Sequence, residues 1–336
     1  MTAEVSAPEL VTLEAIQDAA SRIAGVAVET PLVRLPLPGG RCLVKAESLQ
    51  PIGAFKIRGA YNAIASLSAE ARERGVIAAS SGNHGMGVAR SARLLDAPAT
   101  VVMPADASPV KMARIRADGA AIVEWDPGSG TDLHAFAFEI AAVRDQTFIH
   151  PFDNPDVIAG QGTVGLEIAT AVPDLAAVLV PVGGGGLISG TAAAIKALRP
   201  AARVIGVEPA LAADARDSFR ARRLVEWPTA ESRRTIADGT RTNLSERTLA
   251  HLVAHVDDII VVTEDEIRSA MAYLATEARL VAEPSGALTT AALLHHRGEL
   301  GIDAEAGPIV AVMSGGNVNP DLLAEAIWRG HETRPA

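Results

Sequence analysis

Eight short apolar runs recur along the chain, at 75–81, 99–104, 120–125, 147–151, 176–182, 202–209, 257–263 and 308–316, with amphipathic stretches between them. Runs this short, without polar alternation, read as buried strands of a parallel sheet. The segments 84–95, 109–117, 131–144, 187–198, 264–278 and 319–328 have helical length and spacing. Before them, 11–25 places Leu13, Ile16, Ala20 and Ile23 on one helical stripe and stops at Gly25. Strand–helix alternation predicts an α/β fold with ligands outside the carboxyl ends of the strands. The 336 residues suffice for about two domains. No linker, repeat or low-complexity tract divides them, so two interleaved lobes are expected.

With 30 Lys and Arg against 40 Asp and Glu, the net charge is −10, which repels phosphate backbones and predicts no nucleic-acid partner. The Arg-rich stretch 216–223 reads as a solvated helix face. Cys42 is the single cysteine, so neither an internal disulfide nor a multi-thiolate metal site can form, and a cytoplasmic setting is expected. The N-terminus lacks a signal-peptide pattern and no run approaches the ~20 apolar residues of a membrane span, so no membrane association is expected.

Four segments carry chemistry. In PVGGGGLISG (181–190) an apolar strand runs into Gly183, Gly184, Gly185 and Gly186, with a helix starting near Leu187. Such a turn lets backbone N–H groups and a helix N-terminus meet a phosphate, although a plain tight turn has the same pattern. The spacing is neither a P-loop nor a clean dinucleotide fingerprint. In GAFKIRGA (53–60) Lys56 stands in an apolar setting at the start of a helix; it is either a solvated charge or an amine whose lowered pKa suits Schiff-base chemistry. ASSGNHGMGVA (79–89) places small hydroxyls and free N–H groups at a second helix start, fit for a carboxylate or for simple capping. In VMSGGNVNP (312–320) Ser314 ends a strand and can offer its hydroxyl to a ring nitrogen.

Together, and in this order, the four segments resemble the fold type II pyridoxal-phosphate enzymes, in the threonine/serine dehydratase and serine racemase branch, over residues 10–330. The resemblance implies a tryptophan synthase β-like fold of two open twisted α/β lobes: residues 1–52 and 151–336 in the large cofactor-binding lobe, 53–150 in the small one. It implies that Lys56 forms the Schiff base, Phe55 packs on the cofactor ring, Asn83 meets its phenolic oxygen, Gly183–Gly186 and Leu187 cradle its phosphate, and Ser314 faces its ring nitrogen. Glu283 matches a family acid near the cofactor. The substrate carboxylate is expected on Ser81, Gly82, Asn83 and His84. Ser81 also matches the serine that serves as the opposite-face acid in the racemases.

Serine at the ring nitrogen makes a weaker electron sink than a carboxylate and favours β-elimination. The implied reaction is conversion of L-threonine, L-serine or a relative such as 3-hydroxyaspartate to a 2-oxo acid and ammonia. A serine or aspartate-type racemase with dehydratase side activity is the alternative. Glu208, the Ala212 carbonyl and Asp214 match a family site for Mg²⁺, Mn²⁺ or Ca²⁺, hard ions that suit oxygen ligands. Met86, Asn319 and Ala54 depart from the family's usual glutamine, aspartate and serine. The short stretch after Ser314 leads us to expect no isoleucine-sensing regulatory domain, and the short form implies a homodimer or homotetramer.

Overall fold

The strands of the computed structural model are β1 (Leu32–Leu35), β2 (Cys42–Ala46), β3 (Val76–Ala79), β4 (Ala99–Pro104), β5 (Ala121–Trp125), β6 (Thr147–Phe148), β7 (Ala177–Pro181), β8 (Arg203–Pro209), β9 (Asp258–Val262) and β10 (Ile309–Met313). The structure describes residues 8–332 except 38–40, 81, 106, 108 and 304–305. One sheet has the order β1-β2-β10-β7-β8-β9 and the other β5-β4-β3-β6. Every pairing is parallel except the β1–β2 hairpin.

All eight predicted apolar runs are parallel strands. Both edges of the four-stranded sheet, β5 and β6, are only partly buried, whereas β9, an edge of the larger sheet, is mostly buried. The hairpin β1–β2 escapes a hydrophobic-run reading because it carries Arg34 and Lys45, and Lys45 is buried through pairing to Glu167.

Helices fill the connections: α1 (Leu13–Ile23), α2 (Lys56–Ala65), α3 (Ala69–Arg74), α4 (Asn83–Leu94), α5 (Pro109–Ala117), α6 (Leu133–Arg144), α7 (Pro155–Ala171) and α8 (Gly186–Leu198) in the first part of the chain. The predicted 264–278 helix ends at Tyr273 and continues as a π turn to Ala278. Helix α7 has no amphipathic signal because it is buried almost all round. It is started by the Asn154 side chain, which accepts from Val157 N–H, and by Pro155 in the first turn. Its contact with α8 requires small residues: a Cβ at Gly190 would lie 2.1 Å from the Ile158 carbonyl oxygen.

The six-stranded sheet carries the two largest apolar clusters, and the four-stranded sheet has its own. Along β7, Ala177 and Leu179 face one apolar cluster, while Val178 and Val180 face the other, as strand alternation requires. Each fully buried Val or Leu contributes roughly 1.5–3 kcal/mol. Among the described residues no helix is long and apolar enough to cross a membrane. The chemistry-bearing turns all follow strand carboxyl ends: 80–84 after β3, 149–152 after β6, 183–187 after β7 and 314–317 after β10.

Candidate active site

Lys56 opens α2. The backbone holds it beside Ser314: Phe55 N–H donates to the Ser314 carbonyl at 3.0 Å, and Gly316 N–H to the Gly53 carbonyl at 2.9 Å. Its amine donates to the Pro151 carbonyl at 2.9 Å and stands 5.0 Å from the centroid of the Phe55 ring. Desolvation pushes the amine down to about 8. A lysine at that value is partly neutral near physiological pH and can act as nucleophile or base.

Across from it, β7 ends in the glycine turn. Gly185 has φ +86°, a conformation that glycine adopts without strain. A Cβ at Gly184 would lie 2.3 Å from the Phe152 ring, so the turn closes directly onto an aromatic face. Among the described residues, the N–H groups of Gly183, Gly184, Gly185, Gly186 and Leu187 meet no acceptor. Five such donors at the positive end of a 13-residue helix fit a phosphate group.

The third segment begins α4. Gly82 N–H bonds the Ser80 hydroxyl at 3.1 Å, and a side chain at Gly82 would meet open space. Asn83, His84 and Gly85 have N–H groups without acceptors among the described residues. Ser81 lies outside the described residues. His84 is buried, and its Nε2 donates to the Ile149 carbonyl at 2.8 Å. Burial and the Lys56 charge push its imidazole down to about 3, so it stays neutral.

Asn83 donates to Glu283 Oε1 at 2.7 Å and accepts from Asn317 Nδ2 at 2.9 Å. Glu283 is buried, and desolvation followed by the Asp238 charge pushes its carboxyl up to about 7, against the pull of the Asn83 hydrogen bond. Ser314 is also buried, with a long 3.4 Å hydrogen bond to the Ser285 carbonyl that leaves its hydroxyl easily re-aimed.

Of the proposed metal ligands, Glu208 lies on β8, Ala212 in the turn after it and Asp214 at the start of the helix Asp214–Ala221. Both Glu208 oxygens accept backbone N–H bonds, from Ala215 and Arg216, and Asp214 accepts from Leu244. Leu244 also packs on Gly185, so these acids reach the glycine turn through one residue. Burial, then the Asp214 charge, raises Glu208 well above the usual carboxylate range; burial raises Asp214 to about 7. Two desolvated acids, one raised further by the charge of the other, fit a hard cation. No group of three or more His, Cys, Asp or Glu side chains able to hold a metal occurs among the described residues. A cation here would therefore use two carboxylates, the Ala212 carbonyl and water.

Sequence reasoning missed Pro151, Phe152, Asn317, Ser285 and the loop at Gly239, whose N–H bonds the Ser285 hydroxyl at 2.9 Å. Only the HPF triplet following an apolar run gave a signal, and a carbonyl acceptor such as Pro151 has no side-chain signature.

Residues 23–315 match the family model described as pyridoxal-phosphate dependent enzyme. The chain is 40% identical over 330 residues to an L-threonine ammonia-lyase of Thermotoga maritima, covering 96% of this chain and 79% of that one. It is 40% identical over 325 residues to an L-threo-3-hydroxyaspartate ammonia-lyase of Saccharomyces cerevisiae, covering 95% and 97%. Maize serine racemase superposes with a TM-score of 0.89 at 34% identity, covering 96% of this chain and 99% of that one.

Proposed function

The chain belongs to the pyridoxal-phosphate dependent enzymes, and from that premise we propose that it is an ammonia-lyase converting L-threonine, L-serine or 3-hydroxyaspartate to a 2-oxo acid and ammonia. The relatives acting on L-threonine and L-threo-3-hydroxyaspartate support this reading. The observation that carries it is the Lys56 amine, lowered to about 8 and held on the Pro151 carbonyl at the start of α2, next to Phe55, whose backbone N–H bonds Ser314. Pyridoxal phosphate supplies, when bound, an aldehyde that captures amines and a ring that withdraws electrons from an amino acid's α carbon. Lys56 would hold the aldehyde, Gly183–Leu187 the phosphate, Asn83 the phenolic oxygen, Ser314 the ring nitrogen and Phe55 one ring face. Glu283 orients Asn83.

The substrate carboxylate takes the free N–H groups of Asn83, His84 and Gly85 beside the open face of Gly82, with Ser81 assigned from sequence. Lys56 removes the α proton as general base, the role its lowered pKa suits. The β-hydroxyl departs as water on taking up a proton, which the Lys56 ammonium just formed can return, and the released enamine takes up one water to give the 2-oxo acid and ammonia. We also assign a divalent cation to Glu208, Ala212 and Asp214, a lobe division near residues 53 and 150, and a cytoplasmic homodimer or homotetramer.

Purified protein with added pyridoxal phosphate should develop a visible absorption band that Lys56→Ala abolishes, and should release 2-oxo acid from this panel. A colourless wild type that releases none would overturn the proposal. A racemase is the second reading, supported by the similarity to maize serine racemase; D-serine formed faster than pyruvate would favour it.

A further inference from the structure

Three histidine side chains stand around Lys56 without a role in the elimination. His150 immediately precedes Pro151, whose carbonyl holds the Lys56 amine. Its Nδ1 accepts the backbone N–H groups of Phe152 at 3.3 Å and Asp153 at 2.8 Å. A ring nitrogen that accepts carries no proton, so the neutral imidazole has its proton on Nε2. That donor has no acceptor among the described residues.

His134, in the first turn of α6, stacks on His150 with ring centroids 5.5 Å apart and planes at 21°. It makes no side-chain hydrogen bond among the described residues, and its Nδ1 is 3.9 Å from Asp132. His150 in turn meets Phe152 edge-on at 4.6 Å, and Phe152 forms the wall behind Gly184. The imidazole pair thus continues from the glycine turn and from the Lys56 acceptor. Buried His84 adds a third imidazole, with Nδ1 unpartnered among the described residues.

These groups sense one another electrostatically: His84 responds to Lys56, His150 and His134, and His150 responds to His134 and Lys56. The carboxylates beside the pair are already engaged. Asp132 is 71% exposed and caps α6 through His134 and Ala135 N–H groups; Asp153 pairs with Arg247 at 3.0 Å. Burial, then the charge of neighbouring His134, pushes His150 down to about 4, and burial lowers His134, so the rings stay neutral. Beside Lys56 they offer neutral N–H donors, and among the described residues no unengaged carboxylate stands beside the pair to answer them.

We infer that His134 and His150 form the subsite for the substrate's side chain and read a carboxylate on its β carbon. The preferred class is then a 3-hydroxy amino dicarboxylate, 3-hydroxyaspartate, ahead of threonine. This rests on the ammonia-lyase reading above. Threonine's methyl leaves the Nε2 donor unpaired in a desolvated place, and sites built to bond a polar group discriminate strongly against analogues that lack it.

The test compares kcat/KM for L-threo-3-hydroxyaspartate and L-threonine in the holoenzyme, His150→Asn and His134→Phe. Asparagine retains an acceptor for the Phe152 and Asp153 N–H groups while removing the Nε2 donor; phenylalanine retains the stack. The wild type is expected to favour the dicarboxylate by about tenfold or more, and each variant to lower that ratio about tenfold. A ratio unmoved in both variants, or a wild type that favours threonine, overturns the subsite. If neither amino acid yields 2-oxo acid, the ammonia-lyase reading fails separately. Calorimetry with succinate and butyrate then decides the subsite: a succinate preference lost in both variants supports it, and equal affinities overturn it.

Discussion

The side-chain amide of Asn83 donates to Glu283 across 2.7 Å, joining the first turn of α4 to the start of the helix Pro284–His295. Glu283 holds its proton up to about 7, against an ordinary 4.5. Between those values the folded protein binds the proton and the unfolded chain does not, so stability falls as pH rises through that window. Glu283→Gln keeps an oxygen for Asn83 and removes the titration. Urea midpoints of the cofactor-free protein from pH 4.5 to 8 should therefore decline more steeply in the wild type than in the variant. Parallel profiles would place the carboxyl back in its ordinary range.

Lys56 has the opposite sign. Its amine falls to about 8 from an ordinary 10.5, so the unfolded chain binds the extra proton and stability rises with pH between these values. Lys56→Ala should abolish 2-oxo acid release, lowering kcat by more than about a thousandfold, and should flatten this rise. The rate at which the cofactor-free protein captures an aldehyde should titrate with a midpoint near 8. A midpoint above 10 would contradict the desolvated setting.

Arg58, two residues further along α2, is fully buried and bonds Glu47, Glu167, Thr163 and the Val28 carbonyl. Burial opposes its charge, and Glu47 and Glu167 outweigh that effect and raise its pKa. Arg58→Met leaves Glu47, also 0% exposed, without its guanidinium partner, and should destabilise by about 3–5 kcal/mol. The double variant with Glu47→Leu should recover part of the loss in denaturant titrations. Simple additivity of the two losses would show that the charges do not act as a pair.

How much of this was legible depended on the kind of group involved. Six of the eight expected strands, β3, β4 and β7 to β10, were readable because they are short, mainly apolar runs, the direct mark of burial on both faces. Glycine clustering at 183–186 and Lys56 in its apolar frame marked two sides of the cleft. Helix α7 was hidden because Gly160, Gly162 and Gly165 argue locally against a helix, while its contact with α8 favours one. Pro151 and Asn317 were hidden because their partners, Lys56 and Asn83, are distant in sequence and meet them only through the fold.

The glycine turn can be broken at a single atom. Alanine at Gly185 would be strained at φ +86° and should destabilise by about 1–2 kcal/mol. Alanine at Gly184 would collide with Phe152 and should weaken cofactor binding by about tenfold or more, read by absorbance titration. Phe152→Ala in that background should restore part of the affinity by vacating the space. Unchanged affinity in Gly184→Ala would mean that the turn does not hold the phosphate.

The Glu208–Asp214 pair predicts a cation response that depends on pH. Without a cation, Asp214 holds its proton up to about 7 against an ordinary 3.8, and Glu208 is raised in the same direction. Stability of the cation-free protein therefore falls as pH rises from about 4 to 7, because the folded state must give up protons that the unfolded chain has already lost. A hard cation binds the ionised carboxylates and competes with those protons. Added Mg²⁺ or Ca²⁺ should raise the thermal midpoint more at pH 8 than at pH 5, by an amount that grows with concentration. Asp214→Asn removes one of the two charges and should reduce the response at pH 8. A wild-type midpoint indifferent to both ions at pH 8 would leave Glu208 as the acceptor for the first N–H groups of the helix Asp214–Ala221 and Asp214 as the acceptor for Leu244.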